Sequence, residues 1–163
     1  MLSWDNAPRR AGARCWFPVR RLHLVDIENL AGDALPSLSQ VREAQGLYAG
    51  RLGFGGMDQV EVASSHRTLL NAALGWPYAH YRVQSGPDGA DLALLDVLRH
   101  ENVARRFTHV AIGSGDHLFA EAAADLADQG VWVTVVSRRR CLSAQLALAA
   151  RQVILLDAAP EAA

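Results

Sequence analysis

Leu24-Val25-Asp26-Ile27-Glu28-Asn29-Leu30 and Ala111-Ile112-Gly113-Ser114-Gly115-Asp116-His117-Leu118-Phe119 share one pattern, an apolar run that stops at a carboxylate. Leu22, Leu24 and Val25 lead into Asp26, and Val110, Ala111 and Ile112 lead into Ser114-Gly115-Asp116. Short continuous apolar runs of this kind read as buried strands of a parallel sheet. Each would deliver its acid to the rim where the strands end. Ligands of open α/β sheets bind outside the carboxyl ends of the strands. Two carboxylates on one such rim point to a cation, and through it to phosphate chemistry.

Outward from these two runs, strand and helix patterns alternate. Strands are expected at Arg21 to Asp26, Gln59 to Ala63, His80 to Val83, Thr108 to Ile112, Val131 to Val136 and Val153 to Leu156. Helices are expected from Leu38 to Gly50, capped by Ser37 or Ser39, and from a cap at Ser65 to Leu74. Further helices are expected from Ala90 to Asn102, Leu118 to Asp128 and Ser143 to Ala150, with Gly75-Trp76-Pro77 and Gly130 as stops. No internal repeat interrupts the alternation. It predicts one three-layer α/β/α domain with a mainly parallel sheet and right-handed crossovers. The domain is expected over residues 21–157, after an irregular Arg-containing arm at 1–20 and before a short tail at 158–163.

Composition narrows the chemistry. The chain has 163 residues, 50% hydrophobic and 20% charged, enough for a globular core. No apolar run reaches the roughly 18 residues that span a bilayer, and residues 1–21 lack the apolar middle of a signal peptide. Cys15 and Cys141 have no partner spacing, so neither a zinc site nor a disulfide framework is indicated, and a cytoplasmic protein is expected. All 16 basic residues are arginine. Without lysine there is no P-loop phosphate binding, Schiff-base formation or pyridoxal catalysis. Codon bias would produce the same absence, but the exclusion holds either way. Net charge is −1, so the chain is no bulk polycation. Arginine is nevertheless clustered at Arg9, Arg10, Arg14, Arg20 and Arg21 and again at Arg138-Arg139-Arg140, and a guanidinium fork suits phosphate oxygens.

In a parallel sheet the residues just after each strand meet on one rim. That rim collects Asp26, Glu28 and Asn29, then Ser64, Ser65 and His66, then Asp88 and Asp91, then Ser114, Asp116 and His117, and finally Arg138 to Arg140. Mg²⁺ takes oxygen ligands and needs only one or two carboxylates beside substrate phosphate. Each member also has a plainer reading. Asp116 can be a helix cap, Asp91 a first-turn acid favoured by the helix dipole, and Asn29 a turn residue. His66 and His117 can be solvated loop residues. Asp26 is harder to explain away, since a carboxylate closing a buried strand must be paired or coordinated. His23 and His109 fall away from the rim and read as structural, and Asp96 as solvent-exposed.

The order Val-Asp-Ile-Glu-Asn, then Gly89-Ala90-Asp91 opening a helix, then Gly-Ser-Gly-Asp before a helix, then a Gly-Val-Trp-Val-Thr-Val-Val strand resembles the NYN domain, a branch of the PIN-like nuclease fold. The resemblance runs from Leu22 to Asp157. It implies a metal-dependent ribonuclease whose strand-end aspartates bind Mg²⁺ or Mn²⁺, with RNA as partner. Asp26, Asn29, Asp91 and Asp116 match the motif positions, the three aspartates as metal ligands. Arg138, Arg139, Arg140, Ser114, His66 and His117 are expected to contact RNA. The family pattern often reads Ser-Gly-Asp-x-Asp-Phe, and here Leu118 stands at the second aspartate. The alternative is therefore a degenerate domain that binds RNA or a protein partner without cutting. A dinucleotide-binding reading of Gly113-Ser114-Gly115 fails because Leu118 also replaces the third glycine of that fingerprint.

Overall fold

The structure, a computed structural model, describes residues 19–157; the rest of the expected arm, with Cys15, and the tail 158–163 lie outside them. Six strands, β1 (Arg21–Asp26), β2 (Gln59–Ser64), β3 (His80–Val83), β4 (His109–Gly113), β5 (Trp132–Ser137) and β6 (Gln152–Leu155), pair in the order β3-β2-β1-β4-β5-β6. Every pairing is parallel, so the sheet is wholly rather than mainly parallel. β1 is central, with Val25 beside Val62 of β2 and Gly113 of β4. The order reverses between β1 and β4. There the connections leave in opposite directions and open a crevice.

Helices cover both faces. On one, α1 (Ile27–Ala31), α2 (Leu38–Leu52) and α3 (Leu69–Gly75) bury Ile27, Leu30, Val41, Tyr48 and Ala72 against Val25 and Val62. On the other lie α4 (Gly89–His100), α5 (Val103–Arg106), α6 (Ala120–Asp128) and α7 (Ala144–Ala149). They pack Leu94, Val103, Ala123 and Leu146 on Leu22, Leu24, Ile112 and Val133. Alternate residues of β1 thus feed the two cores, as strand geometry requires. Among the described residues no helix is long and apolar enough to cross a membrane.

Differences from the sequence expectation fall at element ends. Of the two candidate serines, Ser37 caps α2 through a capping box with Gln40. The helix expected after Ser65 begins only at Leu69, and the one expected at Leu118 begins at Ala120 after a 3-10 turn over His117–Phe119. α1 and α5 are additional, each too short to show an apolar period.

Buried polar groups fasten the sheet away from the rim. Glu61 is fully buried on β2 and accepts hydrogen bonds from Arg82 Nε at 2.8 Å and Gln59 Nε2 at 2.7 Å, with His80 Nδ1 at 3.0 Å. On the other face His23, also fully buried, sits with Nδ1 3.0 Å from the Tyr48 hydroxyl and Nε2 3.2 Å from Asp58 Oδ2. Asp58 also accepts the Gly55 N–H, so this relay bolts the loop between α2 and β2 to the core. Burial pushes the Asp58 carboxyl up, but hydrogen bonds from His23 and Gly55 and the nearby charges of His23 and Arg21 outweigh it and hold it below its ordinary value.

A carboxyl lowered on folding stabilises the fold above its unfolded pKa, and that stability is lost as pH falls through the folded value. Asp58→Asn is therefore expected to cost about 1–2 kcal/mol at neutral pH. The cost should shrink toward zero below about pH 3, as read from urea midpoints along a pH series. A cost independent of pH would show that Asp58 contributes through shape alone.

Candidate metal centre

The rim is organised by α1, only five residues long. Asp26 ends β1 and caps this helix, its Oδ1 accepting the N–H groups of Glu28 at 3.0 Å and Asn29 at 3.2 Å. Glu28 reaches the turn after β2, where Oε1 accepts the Ser65 N–H at 2.9 Å and the Thr68 hydroxyl at 2.8 Å. Asn29 reaches the turn after β4, where Oδ1 accepts the Gly115 N–H at 3.0 Å. At the other end of α1, Arg138 Nε donates to the Leu30 carbonyl at 2.7 Å and an Arg140 guanidinium nitrogen to the Gly32 carbonyl at 3.0 Å. One short helix thus ties together the turns after β2, β4 and β5. Ser65 caps no helix with its side chain: its hydroxyl lies 3.0 Å from Thr68 Oγ1, and its carbonyl accepts the Thr68 and Leu69 N–H groups in the turn before α3.

The three aspartates expected as ligands are brought to this rim. Asp26 is 4% exposed and Asp91 7%. Their carboxyl groups lie within hydrogen-bonding reach of each other. Asp91 owes its position to Gly89, where a Cβ would come within 2.5 Å of the Gln84 carbonyl oxygen, so only glycine lets α4 start this close to the end of β3. Asp88, before it, takes a left-handed φ of 54°. Asp116 is more open. Its Oδ1 accepts the Leu118 N–H at 2.9 Å and lies 3.0 Å from His117 Nδ1, and its own N–H donates to Ser114 Oγ at 3.2 Å. Asp116 is thus a cap as well as a rim acid. The turn that carries it is close-packed: a Cβ on Gly115 would overlap the Cys141 carbonyl oxygen and Ser137 Oγ.

The electrostatics of the acid pair are unfavourable as it stands. Burial raises both carboxyls above the ordinary range; for Asp91 the negative charge of Asp26, the hydrogen bond with Asp26 and the charges of Asp116 and Asp88 raise it further. Hydrogen bonds from the Asn29 and Glu28 N–H groups and from Asp91 oppose part of the rise at Asp26. The two groups titrate as one unit. Asp91 Oδ1 is buried and has no hydrogen-bond partner. Among the described residues, no three or more His, Cys, Asp and Glu side chains stand ready to grip a metal ion. The donors nonetheless fit a hard cation. They are carboxylate oxygens, one is unsatisfied, and such an ion takes most of its shell from water and substrate.

The expected RNA contacts divide. His66 is exposed, its ring Nδ1 2.8 Å from Ser85 Oγ, and His117 is exposed beside Asp116. Ser114 is fully buried and accepts the Asp116 N–H, so its hydroxyl orders the turn. Arg138 and Arg140 each spend one donor on α1, whereas among the described residues the exposed Arg139 is anchored only by its backbone N–H, to the Asp157 carboxylate at 3.0 and 3.1 Å. Leu118 is half-buried and packs against the core beneath α4 and α6. Asp96 is exposed, 3.8 Å from His100. The part Glu28 plays on the rim is not signalled by the sequence, since its partners lie 37 and 40 positions away.

No protein-family model matches the chain, and no curated protein does. A solved structure of a protein of unknown function from Vibrio parahaemolyticus is similar at 18% identity and a TM-score of 0.53, covering 85% of this chain and 93% of that one. The likeness is one of fold.

Proposed function

We propose that the rim is the active site of a metal-dependent ribonuclease of the NYN type, in which Asp26, Asp91 and Asp116 hold one Mg²⁺ or Mn²⁺, directly or through water, against the scissile phosphate of RNA. The observation that carries this reading is Asp91, a buried carboxylate with an unsatisfied oxygen touching a second buried carboxylate. Two such groups repel unless a proton or a cation lies between them. At the switch point of an open sheet a ligand site is the expected use of that charge.

The chemistry such a cation supplies is polarisation of phosphate oxygens and a lowered pKa for water. The protein's part is positioning. Asp26 is held by two N–H groups of α1, and Asn29 fixes the Gly115 turn relative to Asp26. His117 stands exposed beside Asp116, its Nδ1 3.0 Å from Oδ1. Among the described residues nothing holds the exposed Arg139 guanidinium, which can meet backbone phosphates, and Arg138 and Arg140 have their remaining donors. A second reading, RNA binding without cleavage, is favoured by Leu118, an apolar residue packed where the resembled family often has an acid. Hydrolysis of single-stranded or structured RNA with Mn²⁺, abolished by EDTA and by Asp91→Asn, is expected. RNA retention without cutting at any Mn²⁺ concentration would select the second reading.

A carboxyl raised on folding favours the fold below its unfolded pKa, and that support is lost as pH rises through the folded value. In EDTA, Asp91→Asn is therefore expected to be more stable than the wild type at about pH 8.5, by on the order of 1–2 kcal/mol, with the gap closing toward about pH 4. Millimolar Mn²⁺ should raise the Tm of the wild type by binding the native state and leave that of Asp91→Asn unchanged. Identical melting curves with and without Mn²⁺ would remove the metal from the proposal.

The arginines separate by role. Arg139→Ala should lower the log–log salt slope of single-stranded RNA binding by about 0.7, one phosphate contact, with no change in Tm. Arg138→Ala should lower the Tm as well, because it frees the Leu30 carbonyl. Equal effects on Tm from the two substitutions would show that the α1 clasp carries no stability.

A further inference from the structure

Two arginines flank the acids of the rim in strand order. Along β2-β1-β4-β5, the turn after β2 carries Arg67, β1 ends at Asp26, the turn after β4 carries Asp116 and the turn after β5 carries Arg139. Both arginines are exposed, and among the described residues no side chain or carbonyl engages either guanidinium. The turn beneath Arg67 is held on each side of it. Ser65 through its N–H and Thr68 through its hydroxyl both donate to Glu28 Oε1 of α1, at 2.9 and 2.8 Å, and Thr68 is 2% exposed. The two hydroxyls lie 3.0 Å apart, and the Ser65 carbonyl accepts the Thr68 N–H at 3.2 Å. His66 joins this turn to the one after β3, its N–H donating to Ser85 Oγ at 3.1 Å. Arg67 is thus the tip of a turn with fixed ends, as Arg139 is between Arg138 and Arg140, each bonded to α1. Both fixings lead back to the helix that Asp26 caps, so each arginine has a set place relative to the acids. A cation on a backbone already fixed loses less freedom when it grips a ligand.

We propose that Arg67 holds a backbone phosphate of RNA on the β2 side of the acids while Arg139 holds another on the β5 side, so that a single strand crosses the ends of β2, β1, β4 and β5. This rests on the ribonuclease reading above and adds to it the course of the substrate. The three intervals between those strands span about 14 Å, a crossing of a few nucleotides. Clustered acids repel a polyanion. Cations on both flanks hold the strand against that repulsion and leave the metal to neutralise the phosphate between them. A grip on the β5 side alone would let the strand swing away from Asp26.

The test is a titration of the full chain with a labelled single-stranded RNA of about ten nucleotides, across a salt series. Ca²⁺, which also takes oxygen ligands, replaces Mn²⁺ in it. Arg67→Ala should lower the log–log salt slope by about 0.7, and Arg67→Ala with Arg139→Ala by about 1.4, one phosphate contact and two. Arg67→Lys should keep the wild-type slope, since a point charge is enough to hold one phosphate. None of these changes should move the Tm. With Mn²⁺, Arg67→Ala should raise KM for the same RNA severalfold and leave kcat unchanged, as loss of a contact made equally in the ground and transition states does. A slope flattened by Arg139→Ala but not by Arg67→Ala, or a double variant no flatter than Arg139→Ala alone, would overturn the crossing and leave the ribonuclease reading standing. A wild type that retains no RNA even at low salt would overturn both.

Discussion

Everything on the rim depends on how the chain leaves β1. The central strand ends at the point where strand order reverses, and Asp26 must turn the backbone there without leaving N–H groups buried and unpaired. It does so by capping α1 with its own carboxylate, which commits the next five residues to a single helical turn across the crevice. Glu28 and Asn29 then project to opposite sides and the last carbonyls of the helix point to β5. Three separate turns take their positions from that one helix. A longer helix would bury these contacts under its own second turn, and an irregular loop would offer no fixed directions.

The two cores and the rim treat buried charge in opposite ways. Glu61 is as buried as any described residue, yet both of its oxygens are satisfied by an arginine, a histidine and an amide. His23 has a partner on each ring nitrogen. Such groups cost little once paired. Asp91 is buried too, with an oxygen left over and another acid beside it. Two buried acids in contact, one with an unpaired oxygen, are the arrangement on which the proposed metal site rests. That contrast within one molecule is stronger than the burial of Asp91 alone.

The strands were legible because parallel strands buried on two faces read as unbroken apolar runs, and the placing of Asp26, Asp91 and Asp116 on one rim follows from strand ends in any such sheet. Short-range chemistry was legible too, as with Ser37 capping α2. What the residues did not disclose is whatever depends on partners distant in sequence. α1 has too few residues for a period, Glu28 gives no sign of the Ser65 and Thr68 groups it holds, and Arg138-Arg139-Arg140 looks like one uniform basic patch. In the fold the three arginines alternate between holding α1 and facing solvent, a division set by carbonyls 108 positions earlier. The contact between Asp26 and Asp91 likewise needs the close approach of α4 that Gly89 permits.

The arginine clasp has a consequence for the order of events during synthesis. α1 is among the first elements to be made, but Arg138 and Arg140 emerge long afterwards, and the turn that presents them is anchored through Arg139 to Asp157, at the end of the described chain. Contacts of such sequence separation form late in folding, since loop closure must precede them. On a ribosome, where the nascent chain grows residue by residue, the acidic rim stays loosely framed until almost all of its polypeptide has been translated. The acids therefore reach their final spacing only once the polypeptide through Asp157 has been made.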